Sequence, residues 1–305
     1  MIISASRRTD IPAFYSEWFL NRLREGFVLV KNPFNSRQIS KVALNPADIE
    51  CIVFWTKNSQ PMLKQISELD ALGYNYYFQY TVNAYDNNLE VNVPNFEKRI
   101  NNFIDLSNLV RAGKVVWRYD PIMVTKKYDF EFHCERFEYL MQRFVGKTQK
   151  CVMSFLDLYK KCQRNLAGIE LKIINDEQKI ALAEKLLKIA SKYGVTLTSC
   201  AESSSLKKIG IEPNKCIDDA LICDLSGRKL SIKKDKNQRA ECNCVESVDI
   251  GSYNSCLHGC GYCYANYSKK SVLNNVKNHD SKSPLLIGHV TDDCQIIDRK
   301  IIKYY

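Results

Sequence analysis

The chain opens on an apolar run, Ile2 to Ser6, of the length of a buried strand. A helical pattern follows from Ala13 to Glu25, with Pro12 near its start, Thr9 or Asp10 as N-cap and Gly26 as its stop. Phe27 to Lys31 and Gln38 to Leu44 predict strand pieces around the turn-rich stretch from Asn32 to Ser36. Cys51 to Trp55 predicts an apolar strand, and Pro61 to Leu72 a helix closed by Gly73. Tyr74 to Asn83 is aromatic and β-prone, Pro94 to Val110 is helical up to about Gly113, and Lys114 to Arg118 is again strand-like. Phe130 to Phe144 predicts a helix and Cys151 to Phe155 a strand. Asp176 to Tyr193 predicts a helix with Ile180, Ala183, Leu187 and Ala190 on one face, closed by Gly194, and Val195 to Ser199 a last strand.

Five or more strand–helix units whose strands are apolar on both faces predict a parallel sheet. The expected class is α/β, as a complete or partial TIM-like (β/α) barrel over residues 1–206. After Leu206 the alternation fails and Cys, Lys, Asn and Ser dominate. Residues 207–305 therefore predict a cysteine-rich, metal-binding C-terminal extension packed on the barrel, since their apolar periodicity is too weak for a separate core.

Polar side chains recur where the strands stop: Arg7, Arg8, Thr9 and Asp10; Thr56, Lys57 and Asn58; Arg118, Tyr119 and Asp120; Asp157; then Cys200 and Glu202. In a (β/α) barrel these ends share one rim, the functional face. Arg and Lys suit carboxylates or phosphates, and Asp and Glu suit hydroxyls or an amino group. Arg7, Arg8, Asp10, Lys57, Arg118, Asp120 and Glu202 are thus the candidate catalytic set. Asp10 as a helix cap and Arg118 with Asp120 as an ion pair are the structural alternatives. Trp55 and Trp117 are expected in the core.

The chain of 305 residues is 45% apolar, which fits a globular protein, and has no signal-peptide pattern and no run of 18 apolar residues. A cytoplasmic, membrane-free protein is expected. Its 44 Lys and Arg against 34 Asp and Glu give +10. Lys229, Lys233, Lys234 and Lys236 precede the cysteine-rich loop described next, and Lys269, Lys270, Lys277 and Lys282 follow it. Such segments serve either as a solvated surface or as a site for an anionic partner, nucleic acid included.

Thirteen cysteines in a reducing compartment imply thiols or metal ligands rather than a disulfide framework, and with them oxygen sensitivity. Cys256, Cys260 and Cys263 stand in the order C-x3-C-x2-C, with Tyr262 before the last and Gly259 and Gly261 allowing a tight loop. Three thiolates can hold three corners of a [4Fe-4S] cubane and leave one iron open, whereas zinc would need His258 or a distant cysteine as fourth ligand. Cys200, Cys216, Cys242 and Cys244 form a second candidate set, for an auxiliary iron–sulfur cluster or zinc.

The loop resembles that of the radical S-adenosylmethionine enzymes. There it follows the first strand of the barrel, and the open iron chelates the cofactor's methionine moiety. The resemblance implies S-adenosylmethionine as cofactor, with Tyr262, Arg118 and Glu202 beside it, and an external reductant such as flavodoxin or ferredoxin. It further implies a 5′-deoxyadenosyl radical acting on a polar or anionic small molecule or nucleic acid. A non-catalytic iron–sulfur or zinc protein that binds nucleic acid or senses redox state is the alternative. Residues 6–15, 52–58, 117–122, 200–202 and 249–266 together resemble a bacterial family known as a domain of unknown function, DUF1848, which implies no activity of its own.

Overall fold

A computed structural model of the protein describes residues 1–158, 160–202 and 205–304. Its strands are β1 (Ile2–Ala5), β2 (Phe27–Asn32), β3 (Asn35–Ala43), β4 (Cys51–Thr56), β5 (Tyr76–Thr81), β6 (Val115–Ile122), β7 (Lys150–Phe155), β8 (Thr196–Ser199), β9 (Glu212–Pro213), β10 (Val248–Asp249) and β11 (Gln295–Asp298). The helices are α1 (Ile11–Phe14), α2 (Ser16–Glu25), α3 (Ile66–Ala71), α4 (Phe96–Val110), α5 (Phe130–Phe144), α6 (Lys160–Asn165), α7 (Asp176–Lys192), α8 (Asp219–Ser226) and α9 (Lys269–Val276). The expected first helix is two, since Tyr15 leaves helical geometry between α1 and α2.

Eight strands form one parallel sheet in the order β10-β1-β4-β5-β6-β7-β8-β9. Among the described residues β9 and β10 are its two edges and do not pair with each other, so the sheet shows no barrel closure. Alternation along the strands divides the core. Ile3, Ile52, Phe54, Phe78, Trp117 and Met153 face the helices, packing with Phe19, Phe103, Phe137 and Leu186. Ile2, Val53, Tyr77, Val116 and Val152 face the other way and are covered by Cys216, Ile217, Ile222, Val245 and Tyr304. Burying side chains of this size contributes about 1.5–3 kcal/mol each.

Residues 207–305 supply β9 and β10 to the main sheet, and β11 pairs with β3 in a three-stranded sheet, β11-β3-β2. Two-residue strands carry no periodicity, which is why the sequence pattern stops at Leu206. Among the described residues no helix is long and apolar enough to cross a membrane.

Candidate functional site

Towards the carboxyl ends of the strands the covered face of the sheet turns polar and opens into a cavity of about 470 Å³. Arg7, Arg8, Asp10, Lys57, Arg118, Asp120 and Tyr262 line it, as do all seven candidate metal ligands, Cys200, Cys216, Cys242, Cys244, Cys256, Cys260 and Cys263. Glu202 is the exception. Its Oε1 accepts a 2.7 Å bond from the Phe155 backbone N–H, and it is not among the lining residues. Burial raises its carboxyl to about 7 against the pull of that N–H. Trp117 is core, stacked on Phe137 with centroids 5.0 Å apart. Trp55 departs from expectation: it lines the cavity, with the Arg7 and Arg118 guanidinium carbons 5.6 and 5.3 Å from its ring centroid. One position in strand parity separates Trp55 from the core face that Phe54 occupies.

The three-cysteine loop follows β10, and β10 pairs with β1 through Ile3–Val248 and Ser4–Asp249. Asp249 accepts bonds from Ser4 Oγ (3.0 Å), Ser6 Oγ (2.7 Å), the Arg7 N–H (2.8 Å) and the Gly251 N–H (3.0 Å), clamping the turn after β1 to the start of the loop. Gly251 runs so close to that turn that a Cβ on it would lie 2.0 Å from Ser6 Oγ. Within the loop Gly259 takes φ +67°, which glycine adopts without the strain other residues would incur. The segment after β5 cradles the loop. Asn92 N–H donates to His258 O (2.9 Å), Gly261 N–H to Leu89 O (2.8 Å), and Glu90 bridges Cys260. The Tyr264 hydroxyl closes the other side on Arg7 O (2.7 Å).

Asp10 is saturated. It caps α1 through the Ala13 N–H (2.9 Å), and its Oδ2 accepts from the Lys57 N–H and His258 Nε2, each at 2.7 Å. It is therefore both the cap and the tie between β4 and the cysteine loop. His258 is buried, with no hydrogen-bond partner for Nδ1 among the described residues. Lys57 Nζ donates to Glu90 Oε1 (2.8 Å) and lies 2.9 Å from the Tyr262 hydroxyl, while Arg99 and that hydroxyl also bond Glu90. Burial alone would raise the Glu90 carboxyl, but Lys57 and Arg99 hold it below its ordinary value. Arg118 pairs with Asp120 at 2.5 Å, as the ion-pair alternative has it, yet its Nη1 also donates to Cys216 Sγ at 2.8 Å.

Burial pushes the Cys256 thiol up to about 12 and Cys260 well above the ordinary thiol range. Thiols so desolvated ionise when a cation takes the charge, so this three-sulfur donor set suits a metal or cluster. On the opposite wall Cys200 Sγ lies 3.4 Å from Cys216 Sγ, the Ile217 N–H donates to Cys244 Sγ (3.4 Å), and Cys242 lines the cavity with them. No group of three or more His, Cys, Asp or Glu among the described residues is already arranged as a site for a single metal ion. The thiolates of a cubane sit on different irons and need no such common point.

Sequence reasoning missed Glu90, Arg99 and Asp249. Glu90 sits in a stretch without periodicity, and Asp249 in a two-residue strand. Only its place just ahead of the cysteine loop could have drawn attention to it.

Comparison with known proteins adds a family and no activity. A model described as a domain of unknown function (DUF1848) matches residues 2–265. No curated protein matches the chain.

Proposed function

The chain belongs to the DUF1848 family, which carries no activity of its own, and from its cysteine loop and the cavity beside it we propose that it is a radical S-adenosylmethionine-type iron–sulfur enzyme acting on a polar or anionic substrate. In this reading Cys256, Cys260 and Cys263 hold a [4Fe-4S] cluster with one iron left for the cofactor, and the open sheet is a partial barrel. The observation that carries it is the strand order. The loop comes late in the chain, but β10, which it follows, lies at the sheet edge beside β1, so in space the three cysteines sit beside the end of the first strand and line the cavity. When bound and reduced by a partner such as flavodoxin or ferredoxin, the cluster and cofactor supply a 5′-deoxyadenosyl radical that takes hydrogen from a substrate carbon.

The chain's own residues bind and exclude. Arg118 and Lys57 are neutralised by Asp120 and Glu90, so they fix walls rather than offer free charge. Arg7 pairs only loosely, its Nη1 4.0 Å from Asp235, and it keeps a buried Nη2 without a hydrogen-bond partner among the described residues on the cavity wall, which suits a carboxylate or phosphate oxygen. Trp55, Phe155, Leu156 and Tyr264 supply apolar wall that shields a reactive carbon from water. Asp10 and Asp249 position the loop.

The chain has no Gly-Gly-Glu triplet to accept from a methionine amino group, so the response to cofactor is the decisive measurement. Adding S-adenosylmethionine to the reduced, anaerobic protein should change the cluster's electron paramagnetic resonance spectrum and release 5′-deoxyadenosine. Cys260→Ala should abolish both. An intact cluster indifferent to the cofactor overturns the reading. Salt-dependent nucleic-acid binding without cofactor cleavage would favour the non-catalytic alternative.

A further inference from the structure

The cavity has a second sulfur-rich wall that the proposed chemistry does not use. Cys200 lies just past β8, Cys216 just past β9, and Cys242 and Cys244 in the segment leading to β10. Four points of the chain, spaced over 45 positions, therefore converge on the carboxyl ends of one side of the sheet. Cys200 Sγ is 3.4 Å from Cys216 Sγ, and Cys242 and Cys244 line the same cavity. N–H groups already point at them: Arg118 Nη1 (2.8 Å) and Asn214 Nδ2 (3.4 Å) at Cys216, and the Ile217 N–H (3.4 Å) at Cys244. Thiols that served only as small core hydrophobes would not need three donors aimed at sulfur. Those donors are what a metal-bound thiolate takes from its surroundings.

We propose that Cys200, Cys216, Cys242 and Cys244 form a second, mononuclear site for one thiophilic divalent cation of the zinc class, separate from the three-cysteine loop. The Cys200–Cys216 pair favours a single ion over a cluster. Metal–sulfur bonds of about 2.3 Å at a tetrahedral centre put neighbouring sulfurs about 3.8 Å apart, near the 3.4 Å of that pair, and the ion would draw Cys242 and Cys244 in to complete its sphere. A cubane seats each thiolate on a different iron and would have to spread the pair. Binding releases the remaining thiol protons and leaves a centre of net charge −2, beside which the Arg118 and Arg7 guanidinium groups stand on the cavity wall. Four protein ligands close the coordination sphere, so the ion is structural. It ties the ends of β8 and β9 to the segment before β10, and so fixes the wall opposite the cysteine loop.

The site does not depend on the radical reading, and the experiment keeps the two apart. Full-length Cys256→Ser/Cys260→Ser/Cys263→Ser protein, made metal-free under reducing conditions, is titrated with cobalt(II). One equivalent should bind with the absorption of tetrahedral tetrathiolate cobalt, and zinc should displace it one for one. Adding Cys216→Ser and Cys244→Ser should weaken cobalt binding at least a hundredfold, with circular dichroism reporting the fold. X-ray absorption on the zinc form of the triple variant should find four sulfurs at about 2.3 Å. The proposal is overturned by absence of the tetrathiolate spectrum from folded triple variant, by acid-labile sulfide reconstituting at this wall, or by a zinc shell with fewer than four sulfurs.

Discussion

Glu90 is the most exposed test of the site's electrostatics because it is the least exposed residue in it. Its side chain is 1% accessible and sits between Lys57 Nζ at 2.8 Å and Arg99, with the Tyr262 hydroxyl as a further donor. Glu90→Gln preserves shape and removes the charge, leaving Arg99 buried and Lys57 largely buried with no counter-charge between them. At an effective dielectric near 20, each close pair is worth about 4 kcal/mol of attraction, and part of that sum was offsetting the desolvation of three ions. Breaking such a buried arrangement from one side costs about 3–5 kcal/mol, or roughly 5–10 °C in melting temperature for a chain of this size. The measurement is urea unfolding of the anaerobic protein, in a double-mutant cycle with Lys57→Met.

The pair should lose less than the sum of the single variants, with coupling of about 1–3 kcal/mol. The acid side gives a second reading. The Glu90 carboxyl is held below 4.5, so its contribution is present above that pH and is lost as pH falls through the lower folded value. The wild-type advantage should therefore shrink on acidification below about 4.5. A Glu90→Gln protein within about 1 kcal/mol of wild type, additive with Lys57→Met, would refute the argument.

Glu202 gives the opposite pH dependence. With its carboxyl raised to about 7, its contribution is full below 4.5 and is lost as pH rises through 7, so Glu202→Gln should gain up to about 3 kcal/mol over wild type at pH 8 and nothing at pH 4.5. Parallel stability–pH curves for the two proteins would count against it. Gly251→Ala places a methyl 2.0 Å from Ser6 Oγ and should cost about 1–3 kcal/mol and speed alkylation of Cys256, Cys260 and Cys263 in the metal-free protein. Unchanged melting and alkylation would mean that the turn gives way freely.

What the sequence made legible were elements with enough residues to show a period. β1 and β4 to β8 came from apolar runs, and α4, α5 and α7 from amphipathic stretches with stops. The rim also came through, because Arg7, Asp10, Lys57, Arg118 and Asp120 stand directly after such runs and strand ends share a face in a parallel sheet. Glu202 did not follow the rule, since its carboxyl turns back to the Phe155 backbone. The Lys57–Glu90–Arg99 network was illegible for a different reason. A buried ion pair joins residues whose spacing obeys no local rule, and Glu90 reads as one more polar loop residue until the fold surrounds it.

The largest gap concerns the strand that carries the cysteine loop. Val248 and Asp249 are too few to show alternation, and their partners Ile3 and Ser4 lie at the other end of the chain. Parallel pairing at that separation leaves no trace in a local window, but its consequence is chemical. It sets the turn after β1 against the loop after β10, so Asp10 can hold His258 while Asp249 holds Ser6 and the Arg7 N–H. Each turn thus supplies the carboxylate that fixes the other. A substitution that loosens one should free both, which makes the cavity floor and the three thiols a single mechanical unit even though about 240 residues of chain separate them.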